Sequence, residues 1–560
     1  MSSVISGSMN NGALWRRASI KLATTRPQMT VEGVAIVAAG FFTLFCNATF
    51  FREIAGVGAL SGASGWRTGL SLIVAIAALH MVLLCLMLNR WTAKPLLTLL
   101  LLVTAAASHF MEEYTVYLNP GMLRNIFHTD EKESRELMTS GMLSSVLVLG
   151  VLPSAILWWI RIQHRPLKRA LLVRIVALTL AASVVAIALL GSFQSLSSLM
   201  RNHKEVRHLV TPANYLVSLA RVLHSAHTDR GRSREPVGVN AQVIARPAGE
   251  KPRLLVLVVG ETLRAQNWGL NGYERETTPQ LAQTGAINFP DVTACGSDTG
   301  VSVPCMFSHY GRANYDKDKI KHSESLLQVL ERAGVGTIWL DNQTGCKGVC
   351  DGLAFESFRH AKTPDLCTAE GCLDEVLLRR LPDVIRYRSS DVVVVLHQLG
   401  NHGPAYYKRY PPSFRRFAPT CETADFGRCS REEIINAYDN AILYTDHFLS
   451  GVIGQLNAQS THEAALIYVS DHGESLGENG LYLHGVPYAI APDEQLRVPM
   501  VMWFSPGFIA STGIDTVCLG DRSASPVSHD NLFHTVLGLM GVTASEMDPK
   551  LNLLEGCGSP

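Results

Sequence analysis

Hydrophobic patterning divides the chain near residue 200. Before that point, apolar residues run together in five stretches, roughly 33–51, 68–88, 96–117, 142–160 and 170–191. Each approaches the ~20 residues an α-helix needs to cross a bilayer core. They hold few ionisable side chains, mainly His80, His109 and Arg174, which argues against a conduction path. After residue 250 the pattern changes to short β-branched runs separated by helical periodicity. LLVLVVG (254–260), VGTIWL (335–340), DVVVVLH (391–397) and AALIYVS (464–470) are continuous enough for strands buried on both faces. Helical spacing fills 323–333 and 431–456. This alternation predicts a mostly parallel, doubly wound α/β sheet, in which ligands gather beyond the carboxyl ends of the strands.

Four segments follow: a tail (1–32), a five-helix transmembrane domain (33–195), an interfacial helix and linker (196–250) and a catalytic domain (251–560). Within the linker, 200–225 mixes basic and apolar residues at helical spacing, and Pro212 is expected to break it into two pieces. Residues 226–250 read as a flexible connector. Some thirty mostly polar residues precede the first apolar run, so the tail does not read as a cleavable signal peptide.

Charge and cysteine usage agree on orientation. The basic residues of the short loops (Arg90 and Lys94; Arg161, Arg165, Lys168 and Arg169), with those of the tail, place these segments in the cytoplasm. Five spans then put the C-terminal half outside, in the periplasm of a Gram-negative cell. Of twelve cysteines, Cys46 and Cys85 sit in spans and the other ten all follow residue 290. Eight fall into close neighbours: Cys295 with Cys305, Cys346 with Cys350, Cys367 with Cys372, and Cys421 with Cys429. Cys518 and Cys557 are left over. An even set confined to the outer domain reads as disulfides rather than zinc knuckles. The net charge of +1 argues against nucleic acid as a general partner.

Chemistry-bearing residues fall at strand ends. Glu261 follows the first strand, His402 lies past the third, and Asp471-His472-Gly473-Glu474 follows the fourth. Carboxylate and imidazole are ordinary zinc donors, so Glu261, Asp471 and His472 form a candidate zinc site. Thr299, in CGSDTGVSVPC, is the candidate fourth ligand and nucleophile: its hydroxyl needs a base or metal to become reactive, and a helix N-terminus there would favour a phosphate. Asp298, Ser297 and Ser302 are nearby rivals. His402 and His484 would together bind a second zinc or neutralise phosphoryl oxygens. Glu474 is either a general acid/base or the partner of a metal-bound imidazole, and His397 reads as buried and structural. Lys347, clamped between Cys346 and Cys350, would contact a phosphate as a point charge. In the outer loop, Asn125, Thr129 and Glu133 at i, i+4 and i+8 would share one helix face able to receive an ethanolamine head, although a solvated amphipathic helix has the same spacing. A metal site on a membrane anchor implies an enzyme acting on a lipid at the bilayer surface.

The stretches GETLRAQNWGLNGYERETTP, VTACGSDTGVSVPCMFS, NHGPAYYKRY and SDHGESLGENGLYLHG resemble the phosphoethanolamine transferases that modify lipid A, a group that includes the mobile colistin-resistance enzymes. The resemblance covers nearly the whole chain and implies five spans followed by an alkaline-phosphatase-like (sulfatase-like) outer domain. It implies one tightly held zinc on Glu261, Thr299, Asp471 and His472, with Thr299 as nucleophile and room for a second ion near His402 and His484. It places Thr344, Lys347, Asn125, Thr129 and Glu133 against substrate, although Thr344 stands where a serine or asparagine is often found. All ten outer cysteines would form five bridges. Ping-pong transfer from phosphatidylethanolamine to lipid A, by a monomer in the inner membrane, is the implied activity, and polymyxin resistance its consequence. Transfer to a core sugar or other periplasmic glycan, or of glycerophosphate, remains open. A sulfatase would need an arginine after Ser302-Val303-Pro304-Cys305-Met306, which is absent. A transporter or sensor would not need the intact ligand set.

Overall fold

The computed structural model describes residues 26–560 apart from 57–59, 61–64, 130, 192–203, 229–232, 369–370 and 559–560. Most of the expected cytoplasmic tail therefore lies outside the described residues. The chain divides into two compact units, Met1–Glu112 with Ser140–Leu219, and Glu113–Thr139 with Ala220–Pro560. Hydropathy alone counts 113–139 with the membrane domain; the structure groups it with the outer one.

In the first unit, four helices are long and apolar enough to cross a membrane: Gly65–Met87, Ala93–Glu113, Ser140–Trp159 and Leu167–Leu190. The fifth expected span is a pair, Val31–Phe45 and Ala48–Gly56, bent by 46°. Asn47 occupies the break. Its amide donates to the carbonyls of Phe42 and Thr211, both at 2.8 Å, and its Oδ1 accepts from the Thr211 N–H at 2.9 Å. A side chain that satisfies backbone groups in this way replaces the ladder the helix loses there. A second irregularity is a π-helical turn, Val146–Val151, whose following Leu152 N–H bonds to Leu147. Pro153 comes next and has no N–H to give, so the wider turn absorbs the missing bond. Apolar side chains such as Leu70, Leu86, Leu171 and Ile187 point outward on these helices, as lipid-facing residues do. Pro212 separates two helical pieces, Lys204–Leu209 and Ala213–Thr228, as expected.

The second unit is built on an eight-stranded sheet. In chain order its strands are β1 (Arg253–Gly260), β2 (Ile287–Thr293), β3 (Gly336–Asp341), β4 (Phe355–Ser357), β5 (Val392–His397), β6 (Glu463–Ser470), β7 (Arg497–Phe504) and β8 (Val527–Ser528). The spatial order is β8-β2-β7-β6-β1-β5-β3-β4. From β6 to β4 every pairing is parallel, while β7 runs antiparallel to both β6 and β2. The four expected strands are β1, β3, β5 and β6, each within one residue of its expected ends. On one face Leu255, Leu257 and Val259 pack with Val329 and Leu330 from helix Leu326–Arg332, and with Val536, Leu537 and Met540 from helix Asp530–Met540. Helix Arg431–Ala458 packs against β6.

The connector is a correction. Val237 is buried in the main core, and Gln242–Val243 pairs with Val542–Thr543. Residues 233–250 are thus held against the domain by an apolar anchor and a two-residue ladder, where polar composition alone suggested a tether.

Candidate metal centre and active site

Three strand ends converge on one point. Glu261 leaves β1, Asp471 and His472 leave the adjacent parallel β6, and all three are fully buried. Thr299 is the first residue of helix Thr299–Met306, which Asp298 caps by accepting from the Val301 N–H. The Thr299 hydroxyl lies 3.1 Å from Glu261 Oε1 and 3.3 Å from His472 Nε2. His472 Nε2 in turn is 3.4 Å from both Glu261 Oε1 and Asp471 Oδ2.

These separations match a metal site. Donors about 2.0–2.2 Å from a zinc ion at tetrahedral angles lie about 3.3–3.6 Å from one another. His472 Nδ1 donates to the Gly473 carbonyl at 2.9 Å, which leaves Nε2 with its lone pair turned to the cluster. Asp471 Oδ1 accepts from the N–H groups of Thr262 and His472, whereas Oδ2 is buried without a hydrogen bond. An unbonded buried carboxylate oxygen is costly unless a cation faces it. Among the described residues, Glu261, Asp471 and His472 form the group able to hold a metal ion. Their electrostatics agree. Burial opposes ionisation of Glu261, yet the hydrogen bond and charge of His472 hold its carboxyl well below the usual range. Burial and the Glu261 charge push Asp471 up to about 6. Burial opposes a charged His472 as well, but Asp471 and Glu261 raise the imidazole to about 10. Without a metal the cluster takes a proton as its cation.

A supporting layer escapes the sequence motifs. Gln343 Nε2 donates to Glu261 Oε2 at 2.7 Å and the Thr262 hydroxyl to Oε1 at 2.7 Å. Gln343 sits just past β3, so the strand-end rule that finds Glu261 would have found it too. Gly400, at φ +52, brings the loop after β5 against Glu261, where a Cβ would lie 2.7 Å from the Glu261 carbonyl. His529 accepts from the Cys295 N–H and donates to the Ser470 carbonyl, each at 3.0 Å. Burial pushes its imidazole down to about 4. The unfolded chain therefore takes up a proton below its ordinary ~6.5 that the folded chain refuses, and stability falls as pH drops from there towards 4. His529→Gln is expected to remove up to about 2 kcal/mol of that acid sensitivity, read as the difference between thermal melts at pH 7.5 and pH 5.

The other expected residues divide. Glu474 is fully buried and engaged at both oxygens, by the Tyr406 hydroxyl at 2.5 Å and by His484 Nδ1 at 2.8 Å. It therefore orients His484 and is not the partner of His472, whose Nδ1 bonds to Gly473. The His484 ring stands 4.4 Å from that of His472 and 5.7 Å from that of His402. Lys347 lies in the Cys346–Cys350 loop at φ +51 and donates to the Thr344 hydroxyl and carbonyl. His397 is buried with Nδ1 2.8 Å from Asp341, as a structural residue would be. The rival hydroxyls are committed elsewhere: Ser297 donates to the Val486 carbonyl and Ser302 to the Asp471 carbonyl.

The shared helix face of Asn125, Thr129 and Glu133 is a correction. Helix Pro120–His128 stops at Thr129, whose backbone is extended and whose hydroxyl donates to the Asn125 carbonyl. A second helix, Glu131–Glu136, then begins, so the three do not lie on one continuous helix. Asn125 donates to Asp298 Oδ1 at 3.3 Å, next to Thr299 in the chain; the Glu133 side chain is outside the described residues. Glu136, not singled out by sequence, pairs with Arg409 at 2.8 Å and Lys408 at 3.4 Å.

All ten outer cysteines are paired, none of them as a metal ligand. Cys295 is bonded to Cys305, Cys346 to Cys350, Cys367 to Cys372 and Cys421 to Cys429, which are the four neighbour pairs. The two left over by spacing, Cys518 and Cys557, form the fifth bridge across 39 residues of sequence. Cys372 closes a short antiparallel ladder in which Cys367 faces it directly, and Cys429 ends the turn just before the cap of helix Arg431–Ala458. Because Cys305 is bridged to Cys295, it is no sulfatase-type nucleophile.

A mostly parallel sheet with a Thr hydroxyl, two carboxylates and an imidazole at its strand ends defines a member of the alkaline-phosphatase-like superfamily, and residues 253–542 match the sulfatase family model. Residues 76–226 match the model "Phosphoethanolamine transferase EptA/EptB". The chain belongs to the phosphoethanolamine transferases. It is 37% identical to phosphoethanolamine transferase EptA of Escherichia coli K12, over 96% of this chain and 99% of that protein. It is 34% identical to phosphatidylethanolamine transferase Mcr-1 of E. coli, over 96% of this chain and 98% of the other. The integral membrane EptA of Neisseria meningitidis, a lipooligosaccharide phosphoethanolamine transferase, superposes with a TM-score of 0.91 at 37% identity, covering 95% of this chain and all of that one.

Proposed function

We propose that this protein transfers phosphoethanolamine from phosphatidylethanolamine to a phosphate of lipid A by a ping-pong route through Thr299. The observation that carries the reading is the Thr299 hydroxyl, at a helix N-terminus and within 3.4 Å of both oxygens of the buried Glu261 carboxylate and of the His472 imidazole. Glu261, Thr299, Asp471 and His472 would hold one zinc ion, which supplies the positive charge that acidifies the threonine hydroxyl and offsets phosphoryl charge.

In the first half-reaction a Thr299 Oγ–P bond forms as the P–O bond to diacylglycerol breaks, and the hydroxyl proton ends on the diacylglycerol oxygen. In the second, an oxygen of the acceptor phosphate attacks the same phosphorus, the Oγ–P bond breaks, and Thr299 regains a proton. His484, aimed by Glu474 and Tyr406, and His402 beside it contact the phosphoryl oxygens. Thr344 and Lys347 bind phosphate, while Asn125, Thr129 and Glu133 meet the ethanolamine portion. The enzyme acts as a monomer in the inner membrane, with the second unit in the periplasm, where five disulfides find an oxidising compartment. Each group added brings an ammonium to the acceptor, so attraction for polymyxins falls.

Mass spectrometry of lipid A from cells expressing the chain tests this reading. The expected result is a phosphoethanolamine increment absent from cells with an empty vector. An unmodified lipid A beside modified core sugars would replace the acceptor, and a glycerophosphate increment would replace the donor.

A further inference from the structure

A cavity of about 470 Å3 lies beside the nucleophile, within the range of ~300–1,000 Å3 typical of ligand sites. Asp298 and Gly300, the residues flanking Thr299, line it, whereas the Thr299 hydroxyl is turned to Glu261 and His472. Thr344 and Lys347 form one edge. The remaining wall is rich in cations from three separate segments: Arg124 on helix Pro120–His128, Arg234 in the connector, and Lys317 and Lys321 on helix Lys317–His322.

Of the four acids in that wall, all but Asp318 are already engaged. Asp351 pairs with Arg234 at 2.9 Å and Glu324 with Arg332 at 2.5 Å. Asp298 Oδ1 caps the Thr299 helix and accepts from Asn125. Arg124 has a neutral partner, the Ser225 hydroxyl at 3.1 Å. Lys317 makes no hydrogen bond among the described residues. It is partly buried and close enough to Arg124 that burial, and then the Arg124 charge, lower its ammonium below the ordinary range, with the Asp298 and Asp318 carboxylates offsetting only part of this. Two like charges brought together beside an open cavity are unfavourable until an anion lies between them.

We propose that this cavity is the acceptor's anion subsite, in which Arg124 and Lys317 hold a phosphate on the acceptor saccharide other than the one that attacks. The inference rests on the ping-pong reading above. It favours the acceptor because the donor carries a single phosphate, which must reach Thr299 itself. A second anion site next to the nucleophile serves a molecule with another negative group, and hydroxyls of Ser225, Ser308 and Tyr315 around it suit a sugar. Arg124 and Lys317 would act by binding and register, with no bond made or broken.

The test separates the half-reactions in the purified full-length enzyme. Loading is read as diacylglycerol release and as the mass increment on Thr299. Transfer is read with acceptor glycolipids carrying two phosphates or one. In Arg124→Ala and Lys317→Ala, loading should stay within about twofold of wild type, while KM for the two-phosphate acceptor rises on the order of tenfold. The preference of the wild type for two phosphates over one should vanish, and Lys317→Arg should restore it. Inorganic phosphate should compete with the acceptor in wild type and lose that effect in Lys317→Ala. Loading that falls in step with transfer, or phosphate that competes with the donor, would assign the cations to the donor and overturn the proposal. Unchanged transfer in both variants would also overturn it. A wild type that releases no diacylglycerol and gains no mass would remove the ping-pong reading and the subsite with it.

Discussion

Replacing Thr299 with alanine will abolish phosphoethanolamine transfer and leave the protein folded. The helix does not depend on that side chain, since Asp298 provides the cap and alanine is a good helix former at the first position. Glu261 keeps Gln343 and Thr262 as donors, so losing Thr299 orphans no buried oxygen. The cost in stability should stay near 1 kcal/mol. The chemical cost is of another order, because a missing nucleophile removes the covalent route altogether, and turnover should fall by at least roughly 10³-fold. Thr299→Ser keeps an oxygen at that position and should retain measurable transfer. Intact-protein mass spectrometry under acceptor starvation checks the intermediate directly: wild type gains one phosphoethanolamine and Thr299→Ala gains none. An increment that persists in the variant would sink the assignment and turn attention to Ser297 or Ser302. Both are poor candidates, since each hydroxyl is already given to a backbone carbonyl.

What sequence could and could not show follows from the range of the interactions involved. The parallel core strands were legible because burial on both faces writes them as unbroken β-branched runs, as in Val392–Leu396. The candidate metal group, Glu261, Asp471 and His472, was legible because those residues sit directly at the ends of such runs. β2 and β7 were not. Each carries a proline, Pro290 and Pro499, and their pairing is irregular where Pro499 falls, with a register shift between Val498 and Met500. A proline inside a run reads as an argument against a strand, while the fold accommodates it at a bulge. Tertiary contacts hid the rest. Nothing local says that Glu136 meets Arg409, or that Val237 reaches the core. The stop at Thr129 was missed for a different reason. A period of four extended across that residue looks like one helix, and only the backbone shows that the threonine hydroxyl turns back to close it.

Asp471→Asn will uncouple the stability of the outer unit from zinc. Asparagine keeps an oxygen to accept from the N–H groups of Thr262 and His472, so the loop after β6 retains its local bonds. What changes is Oδ2, the buried atom without a hydrogen bond, which becomes an amide unable to ligate. The cluster loses one of its two negative charges together with a donor. Zinc per chain should drop from about one to near none after dialysis. Wild type binds the ion only when folded, so a chelator should lower its melting temperature. The corresponding stabilisation is about 3–4 kcal/mol when free zinc exceeds the dissociation constant by a hundred- to a thousandfold. The variant should melt at the same temperature with zinc or with chelator. With metal absent from both, the variant should be no less stable than wild type, because one buried carboxylate charge crowded against Glu261 has gone. That last comparison separates a metal site from a structural ion-pair network. If Asp471 served only to pair with His472, the metal-free variant would be the weaker protein, and zinc would shift neither melt.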